Sequence, residues 1–439
     1  MLAHYFELAV RSLRSNIALT ALTILAVGVG IGASMTVFTL LRAVSTDPIP
    51  TKSRQLFIPQ IDNWGPAGAG EPMEKVNGLQ DLLTYRDAMA LMNARGGVRQ
   101  TAMYPVYFNV VPQAHGMLPF GVMGRAVYGG FFPMFEVPFR AGGPWSAADD
   151  TGGANVVVIG SRLADKLFPG ENPVGRTISL SLHDYQIVGV LEQWDPQPRF
   201  YDITDGRYAE SEDVFLPFRT AIDRQIASAG NSDCISASAP GWAGFVSSEC
   251  IWIGFWVELP TARSAREYRQ FLANYAQSQR QQGRFNWSPR TELLDVRQWL
   301  VAVKIVPAEV RASSMAGFGF LLICLVNAAA LLLAKFTARA AEFGVRRALG
   351  ASRADILYQC LIETSVVGAL GALVGMGLTV AGLSVEKAIL PEDLARLAHL
   401  DAGIAAIAVA LAIGATLGSG LYPTWRASRV RAAWHLKAQ

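Results

Sequence analysis

The sequence predicts a helical membrane protein: one transmembrane helix, then a large mixed α+β domain outside the bilayer, then three more transmembrane helices. Three observations predict this. Residues 17–41, 314–334, 364–385 and 402–421 are uncharged apolar stretches, each long enough as helix to cross ~30 Å of hydrocarbon. Lys and Arg concentrate in alternate connections between them, as membrane orientation requires. Residues 46–311 instead mix strand-like and helix-like runs with turn residues, at a length suited to more than one module.

The elements follow in order. At 1–16, Leu2, Tyr5, Phe6, Ala9 and Leu13 form an apolar face with Glu7, Arg11 and Arg14 largely off it. This predicts a cytoplasmic amphipathic helix along the membrane surface. The first span, 17–41, is longer than the ~7–15 residues of a signal-peptide core, and no small-residue cleavage site closes it, so it is expected to be retained. Arg11 and Arg14 precede it; Lys335, Arg339, Arg346, Arg347 and Arg353 follow the second span; Arg426, Arg429, Arg431 and Lys437 follow the fourth. These regions are expected inside, with both termini cytoplasmic. The loop at 386–401 carries Glu386, Glu392, Asp393 and Asp401 against Lys387 and Arg396, so it is expected outside, with residues 46–311. The formal net charge of +3 is therefore mostly topological. The basic clusters sit beside membrane helices, which argues against nucleic acid and for membrane lipids as a partner.

Within the outward segment, 104–111 and 251–259 read as strands, and Thr261 is placed to cap a helix with Tyr268, Phe271, Leu272 and Tyr275 on one face. Between them, the run VVVI at 156–159, a short helix through Leu163 and Leu167, the turn FPGENPVG and strands at 177–182 and 185–191 form a second unit. Cys234 and Cys250 lie in this oxidising compartment with fifteen residues between them, so a disulfide worth ~3 kcal/mol is expected. A metal site there lacks further Cys or a nearby His. Trp242, Trp252 and the Gly-rich run at 64–72 are candidates for partner or substrate contact, with ordinary surface variation as the alternative.

The spans carry small residues rather than a conduction pathway. Gly28 and Gly32, like Gly371 and Gly375, permit close helix packing, and Asn327 is expected to supply an interhelical hydrogen bond. Glu363 precedes the third span, where structural or coupling duty is a better reading than proton relay. The connection at 335–363 includes a basic amphipathic element with breaks at Gly344 and Gly350, through which a soluble partner would push on two membrane helices. Enzyme chemistry finds no support. The five histidines are scattered, no G-x-S-x-G elbow occurs, and the Gly-Lys pair of a Walker A motif is absent from the sequence. No cofactor is expected on these residues.

Three segments carry a resemblance to a known family. The stretch VVVIGSRLADKLFPGENPVGRTISLSLHDYQIVGVL, preceded by Gly124-Arg125, resembles the periplasmic core of MacB-type permeases of ABC transporters. EFGVRRALGASRADI at 342–356 and LIETSVVGALGALVG at 361–375 resemble the FtsX-like permease domain, expected over 314–432. The opening LAVRSLRSNIALTALTILAVGVGIGASMTVFTLL is similar to that of MacB-type permeases.

The resemblance implies a porter-like module at 46–122 and 255–311, an inserted Sabre-like module at 123–254, and a bacterial inner-membrane location with the large domain in the periplasm. It implies a mechanotransmission system, in which a separate cytoplasmic ATPase dimer holding ATP and Mg drives the permeases. Glu342, Gly344, Arg346, Arg347, Gly350 and Arg353 are then the ATPase-coupling residues, and the first and second spans act as levers. MacB itself carries its ATPase on the same polypeptide. The tail at 422–439, YPTWRASRVRAAWHLKAQ, lacks the Asp-Pro pair and Glu usual in the family. That departure favours pairing with a second, non-identical permease, with a homodimer as the alternative. The implied function is export of a periplasmic peptide, toxin or antibiotic through a membrane-fusion protein and outer-membrane duct. Lipoprotein extraction and FtsX-like regulation of a cell-wall hydrolase are the alternatives.

Overall fold

The computed structural model describes residues 16–66, 76–112, 116–204, 206–390, 392–397 and 402–428. The expected helix at 1–16, all but its last residue, most of the Gly-rich run at 64–72 and the tail beyond 428 lie outside these. The chain divides into two compact units, one of residues 1–45 with 306–439, the other of residues 46–305.

In chain order the elements are α1 (Ile17–Ser45), β1 (Leu56–Ile61), β2 (Leu83–Thr84), α2 (Tyr85–Ala94), β3 (Arg99–Val111), β4 (Phe120–Val127), α3 (Phe131–Met134), β5 (Phe139–Gly142), α4 (Ala147–Gly152), β6 (Val156–Ile159) and α5 (Ser161–Leu167). They continue with β7 (Thr177–Leu180), β8 (His183–Leu191), β9 (Val214–Pro217), α6 (Phe218–Asp223), α7 (Gly241–Val246), β10 (Ile251–Glu258), α8 (Ala262–Gln281), β11 (Thr291–Asp295) and α9 (Val296–Ala302). The chain then returns to the helical unit through α10 (Ala308–Ala338), α11 (Ala340–Ala348), α12 (Arg353–Ile389), α13 (Glu392–Ala395) and α14 (Ala402–Ser428).

The unit of residues 46–305 is built on one sheet of order β11-β1-β10-β3-β4-β9-β6-β8-β5, with β2 on β10 and β7 on β3 and β8. Pairing is antiparallel except for β4 with β9 and β6 with β8. Strands covered on both faces need continuous apolar runs. Accordingly, VVVI of β6 is wholly buried and IWIGFWVE of β10 is buried at every position except Gly254. Thr261 caps α8 in a reciprocal pair with Ser264, and Tyr268 and Leu272 face the core.

Two sequence-based boundaries require correction. A division at 254/255 cuts through β10, and an end at 311 falls inside α10. The two expected modules also share one hydrophobic core, with Leu83 and Leu272 from the first and Ile187 and Leu216 from the second. The reason is β3. Its thirteen residues pair with β10 through Arg99–Met103 and with β4 through Tyr104–Val110, so one strand carries the ladder across both.

Trp252 is also corrected as a contact candidate. It is fully buried beside Tyr104 at 4.8 Å, and Trp242 and Phe245 of α7 pack on it at 6.0 and 5.1 Å. The sulfurs of Cys234 and Cys250 are bonded to each other. Beside them, Asp233 and Ile251 exchange backbone hydrogen bonds of 3.1 and 2.8 Å, which ties the start of the 234–250 segment to β10.

In the other unit the four long helices α1, α10, α12 and α14 have the length and composition to cross a membrane. They outrun the apolar stretches. At thirty-seven residues, α12 would be about 55 Å long, well beyond the hydrocarbon core. The expected connection at 335–363 is consequently mostly helix, with α10 reaching Ala338 and α12 starting at Arg353.

The glycines set the closest approach. A Cβ on Gly28 would lie 2.7 Å from Val374 and one on Gly32 2.6 Å from Leu378. On α12, a Cβ on Gly371 would lie 2.7 Å from Val27 and one on Gly375 2.9 Å from Ile31. Backbone therefore approaches backbone at the α1–α12 crossing, as small residues allow within membranes. Among the described residues Asn327 has no interhelical hydrogen bond. Its side chain is exposed on α10.

Candidate functional site

The densest charge in the helical unit lies where α10, α11 and α12 meet. Ser352 caps α12 reciprocally with Asp355, and Gly350, at φ +104°, makes the turn that lets α11 fold back. Phe343 of α11 inserts among Leu332, Phe336, Ile356 and Cys360, which pins the short helix to both long ones.

Around that anchor runs an ionic network. Glu363, with no exposed surface, accepts from Lys335 Nζ at 2.7 Å and Arg339 Nη1 at 2.9 Å. Lys335 Nζ also donates to Thr20 Oγ1 of α1 at 2.9 Å. Arg339 grips Glu342 through two bonds of 2.9 and 3.1 Å. Arg346 then joins Glu342 at 2.8 Å and Gln359 at 3.0 Å. Four helices are thus tied by charge-assisted hydrogen bonds, which are among the stronger polar contacts.

The electrostatics follow from these pairs. Burial opposes the charge on Arg339, but its hydrogen bond to Glu342 and the charges of Glu363 and Glu342 outweigh this and raise its pKa. The hydrogen bond from Arg339 comes first among the causes that lower the Glu342 carboxyl, with the charges of Arg339 and Arg346 adding to it against burial. The buried part of the network, Lys335 with Glu363, stays stable only while both members are paired.

The residues singled out from sequence divide here. Glu342 and Arg346 pair with each other and are half-buried, as is Arg347, and Gly344 is buried. Arg353 is exposed at the first position of α12. Glu363 is not a lone carboxylate but the centre of the network. Sequence reasoning treated Lys335 and Arg339 only as topology markers and did not single out Thr20 or Gln359. One signal was available, because Lys335 and Arg339 stand four residues apart at the end of an apolar helix, on one face. Of the apolar residues near this network, Val345, Leu349 and Tyr358 are 56%, 83% and 58% exposed, and Arg353 is exposed as well.

The unit of residues 46–305 holds its own buried charges. Arg125 of β4 donates to Glu212 at 2.8 and 2.6 Å and pairs with Asp202; Arg199 reaches Glu212 at 3.2 Å and Tyr201 donates to it at 2.9 Å. Burial opposes the Arg125 charge, but Asp202 and Glu212 more than offset it and raise its pKa. A cleft of about 760 Å³ opens elsewhere in this unit, walled by Tyr85, Met89, Met92, Tyr128 and Ile222 with Arg99 and Arg219 at its margin.

Residues 20–265 match the family model of the MacB-like periplasmic core domain, and residues 314–432 that of the FtsX-like permease C-terminal domain. The chain is 24% identical over 461 residues to the macrolide export ATP-binding/permease protein MacB of Syntrophobacter fumaroxidans, covering 96% of this chain and 62% of that protein. To the MacB of Rhodospirillum rubrum it is 26% identical over 398 residues, covering 88% and 53%. The chain thus spans little more than half the length of these curated relatives. Among solved structures, the periplasmic region of MacB from Actinobacillus actinomycetemcomitans aligns with 60% of this chain and 100% of its own at 13% identity, with a TM-score of 0.37.

Proposed function

From the premise that the chain belongs to the family of MacB-like, FtsX-like ABC permeases, we propose that it is the permease of an export system driven by an ATPase outside these 439 residues. It sits in the bacterial inner membrane with both termini in the cytoplasm and residues 46–305 in the periplasm. The observation that carries this reading is the Lys335–Glu363–Arg339–Glu342–Arg346 network. Through it, a displacement of α11 is transmitted to α10 and α12 together and to α1 through Thr20. The ATPase dimer, with its ATP and Mg, docks on the exposed face of Val345, Leu349 and Tyr358, with Arg353 supplying charge at the rim.

The bonds of Glu342 to Arg339 and of Arg346 to Glu342 and Gln359 make them part of the transmission. The cargo is a periplasmic peptide, toxin or antibiotic with apolar bulk, handed to a membrane-fusion protein and outer-membrane duct. The macrolide export role named for the relatives supports this choice, and the Met- and Tyr-walled cleft offers such a cargo a contact surface.

The test is purification of the tagged chain from its native membrane, with ATP hydrolysis measured in the eluate. An ATPase is expected to co-purify from the unaltered chain and to be lost with Leu349→Asp, while the variant protein stays folded. An eluate without ATP hydrolysis, or one indifferent to Leu349→Asp and to replacement of Arg353, counts against the reading.

A further inference from the structure

Two loops singled out from sequence as contact candidates meet at a second cavity, apart from the Met- and Tyr-walled cleft. Trp64 opens the Gly-rich run, and Ile235 and Glu249 stand next to the bonded Cys234 and Cys250. Together with Asn63, Phe285 and Trp287 they line a space of about 520 Å³ within residues 46–305. Hydrogen bonds fix the frame. Trp64 Nε1 donates to Glu249 O at 3.5 Å, Trp287 Nε1 to Asp62 O at 3.1 Å and Asp62 N to Arg290 O at 2.9 Å.

One wall residue carries an unmet demand. Asn63 is 2% exposed, and among the described residues neither its Nδ2 nor its Oδ1 has a hydrogen-bond partner. A buried, unpaired carboxamide is unfavourable, and native chains keep few of them. At the wall of a cavity it offers a donor and an acceptor to whatever enters.

Charge narrows the occupant. Arg284 in the wall is committed to Asp87 at 2.5 and 2.8 Å and to Glu249 at 2.6 Å, and Arg86 reaches Glu249 at 3.4 Å. Two guanidinium groups thus face two carboxylates, and no charge among the described lining residues is left uncompensated. The group that enters is neutral. Trp64 is fully buried, and a Cβ on Gly65 would lie 2.3 Å from the Trp287 ring, so neither indole offers a sugar ring an open face. An extended main chain, by contrast, carries the N–H and C=O of one residue on the same side, where a single carboxamide meets both. The apolar walls then receive a side chain of the same strand, as peptide-binding grooves do.

We propose that Asn63, Trp64, Ile235, Phe285 and Trp287 form a binding site for an extended, uncharged segment of a peptide cargo. Asn63 Oδ1 accepts from a main-chain N–H of the peptide, and Asn63 Nδ2 donates to the C=O of the same residue. This selects peptide among the cargo classes and rests on the export reading for the source of the peptide, though not for its recognition.

The experiment uses the purified full chain. The probe is an end-capped heptapeptide of glycine and serine with one central leucine, labelled at one end with a neutral fluorophore. Fluorescence anisotropy is expected to show saturable binding. Methylating the leucine amide nitrogen removes the donor to Asn63 Oδ1 and should weaken binding on the order of tenfold, the equivalent of one hydrogen bond. A central aspartate should abolish binding. Ile235→Asp, at an exposed position, should weaken it at least as much as methylation does, and Asn63→Ala should erase the difference between the methylated and unmethylated probes. Retention of the Cys234–Cys250 disulfide reports that each variant is folded, and Ile235→Asp with the methylated probe carries the test if Asn63→Ala does not fold. Absence of saturable binding, equal affinity for the methylated probe, indifference to Ile235→Asp, or displacement of the probe by chitotetraose overturns the site. Binding that leaves the turnover of a co-purified ATPase unchanged overturns cargo as the source. Peptide binding to a chain that brings down no ATPase supports the site and counts against the export reading; an ATPase without peptide binding does the reverse.

Discussion

Two ionic clusters, one buried and one partly buried, are each built from basic and carboxylate side chains and join very different numbers of elements. Arg125 and Arg199 meet Asp202 and Glu212, two cations with two anions, between strand β4 and a single segment of chain at 199–212. Lys335, Arg339 and Arg346 meet Glu342 and Glu363, three cations with two anions, across α10, α11 and α12, and α1 joins through Thr20. The first fastens a loop to a sheet that is itself fixed by ladder hydrogen bonds. The second connects elements with no ladder between them. A buried ion pair is poor evidence of stability but good evidence of a specified arrangement, and here the two arrangements are a staple and a joint.

The comparison is open to experiment. The largest effect is expected from Arg125→Ala, which leaves Asp202 and Glu212 with less compensation. Thermal or denaturant unfolding of the detergent-solubilised chain should show a loss of ~3–5 kcal/mol, and ATP hydrolysis by any co-purified ATPase should be unchanged while the protein stays folded. Joint replacement Cys234→Ser and Cys250→Ser comes next, at ~3 kcal/mol for a loop of this length. Its loss should be confined to residues 46–305, and hydrogen exchange that instead rises in the long helices would break the division between staple and joint.

Glu363→Gln is expected to cost ~2 kcal/mol, the difference between charged and neutral acceptors, with a far larger loss of cargo-dependent ATP turnover. A variant that loses stability and keeps its turnover would turn the joint into a second staple. Smallest is the acid response of Glu342. Its folded pKa is depressed, so the stability from its pairs is present above the ordinary carboxylate range, ~4.3, and is lost as pH falls through the folded value. Exchange of the α11 amides should therefore accelerate below about pH 4, and Glu342→Gln should remove that dependence.

The two clusters were not equally legible in the sequence. Gly124-Arg125 stood out as a pair ahead of the VVVI strand, yet nothing in the order of residues linked Arg125 to Glu212, eighty-seven positions later. For the joint, the EFGVRRALGASRADI segment marked the place without giving the direction of its side chains. Arg346 and Arg347 are neighbours in sequence, but helical geometry turns Arg346 toward Glu342 four residues earlier. Trp252 shows the same limit in reverse. An aromatic just after a Gly- and Ser-rich stretch suggested a surface, whereas its place in β10 under α7 makes it core.

Local chemistry carried what the sequence determined by itself. Four apolar stretches with their flanking charges specify the membrane helices, the β-branched and aromatic run at 251–259 specifies a strand, and Thr261 specifies a helix start. These need only neighbours within a few residues, because hydrogen-bond closure, capping and transfer from water are local terms. Tertiary structure alone decided that β3 joins two expected modules into one core, that Glu363 finds Lys335 and Arg339, and that Asn327 faces away from its own bundle. Each of these depends on which helix or strand face meets a partner distant in sequence. That choice is made by packing and by the cost of an unpaired buried charge, terms that do not exist until the chain has folded.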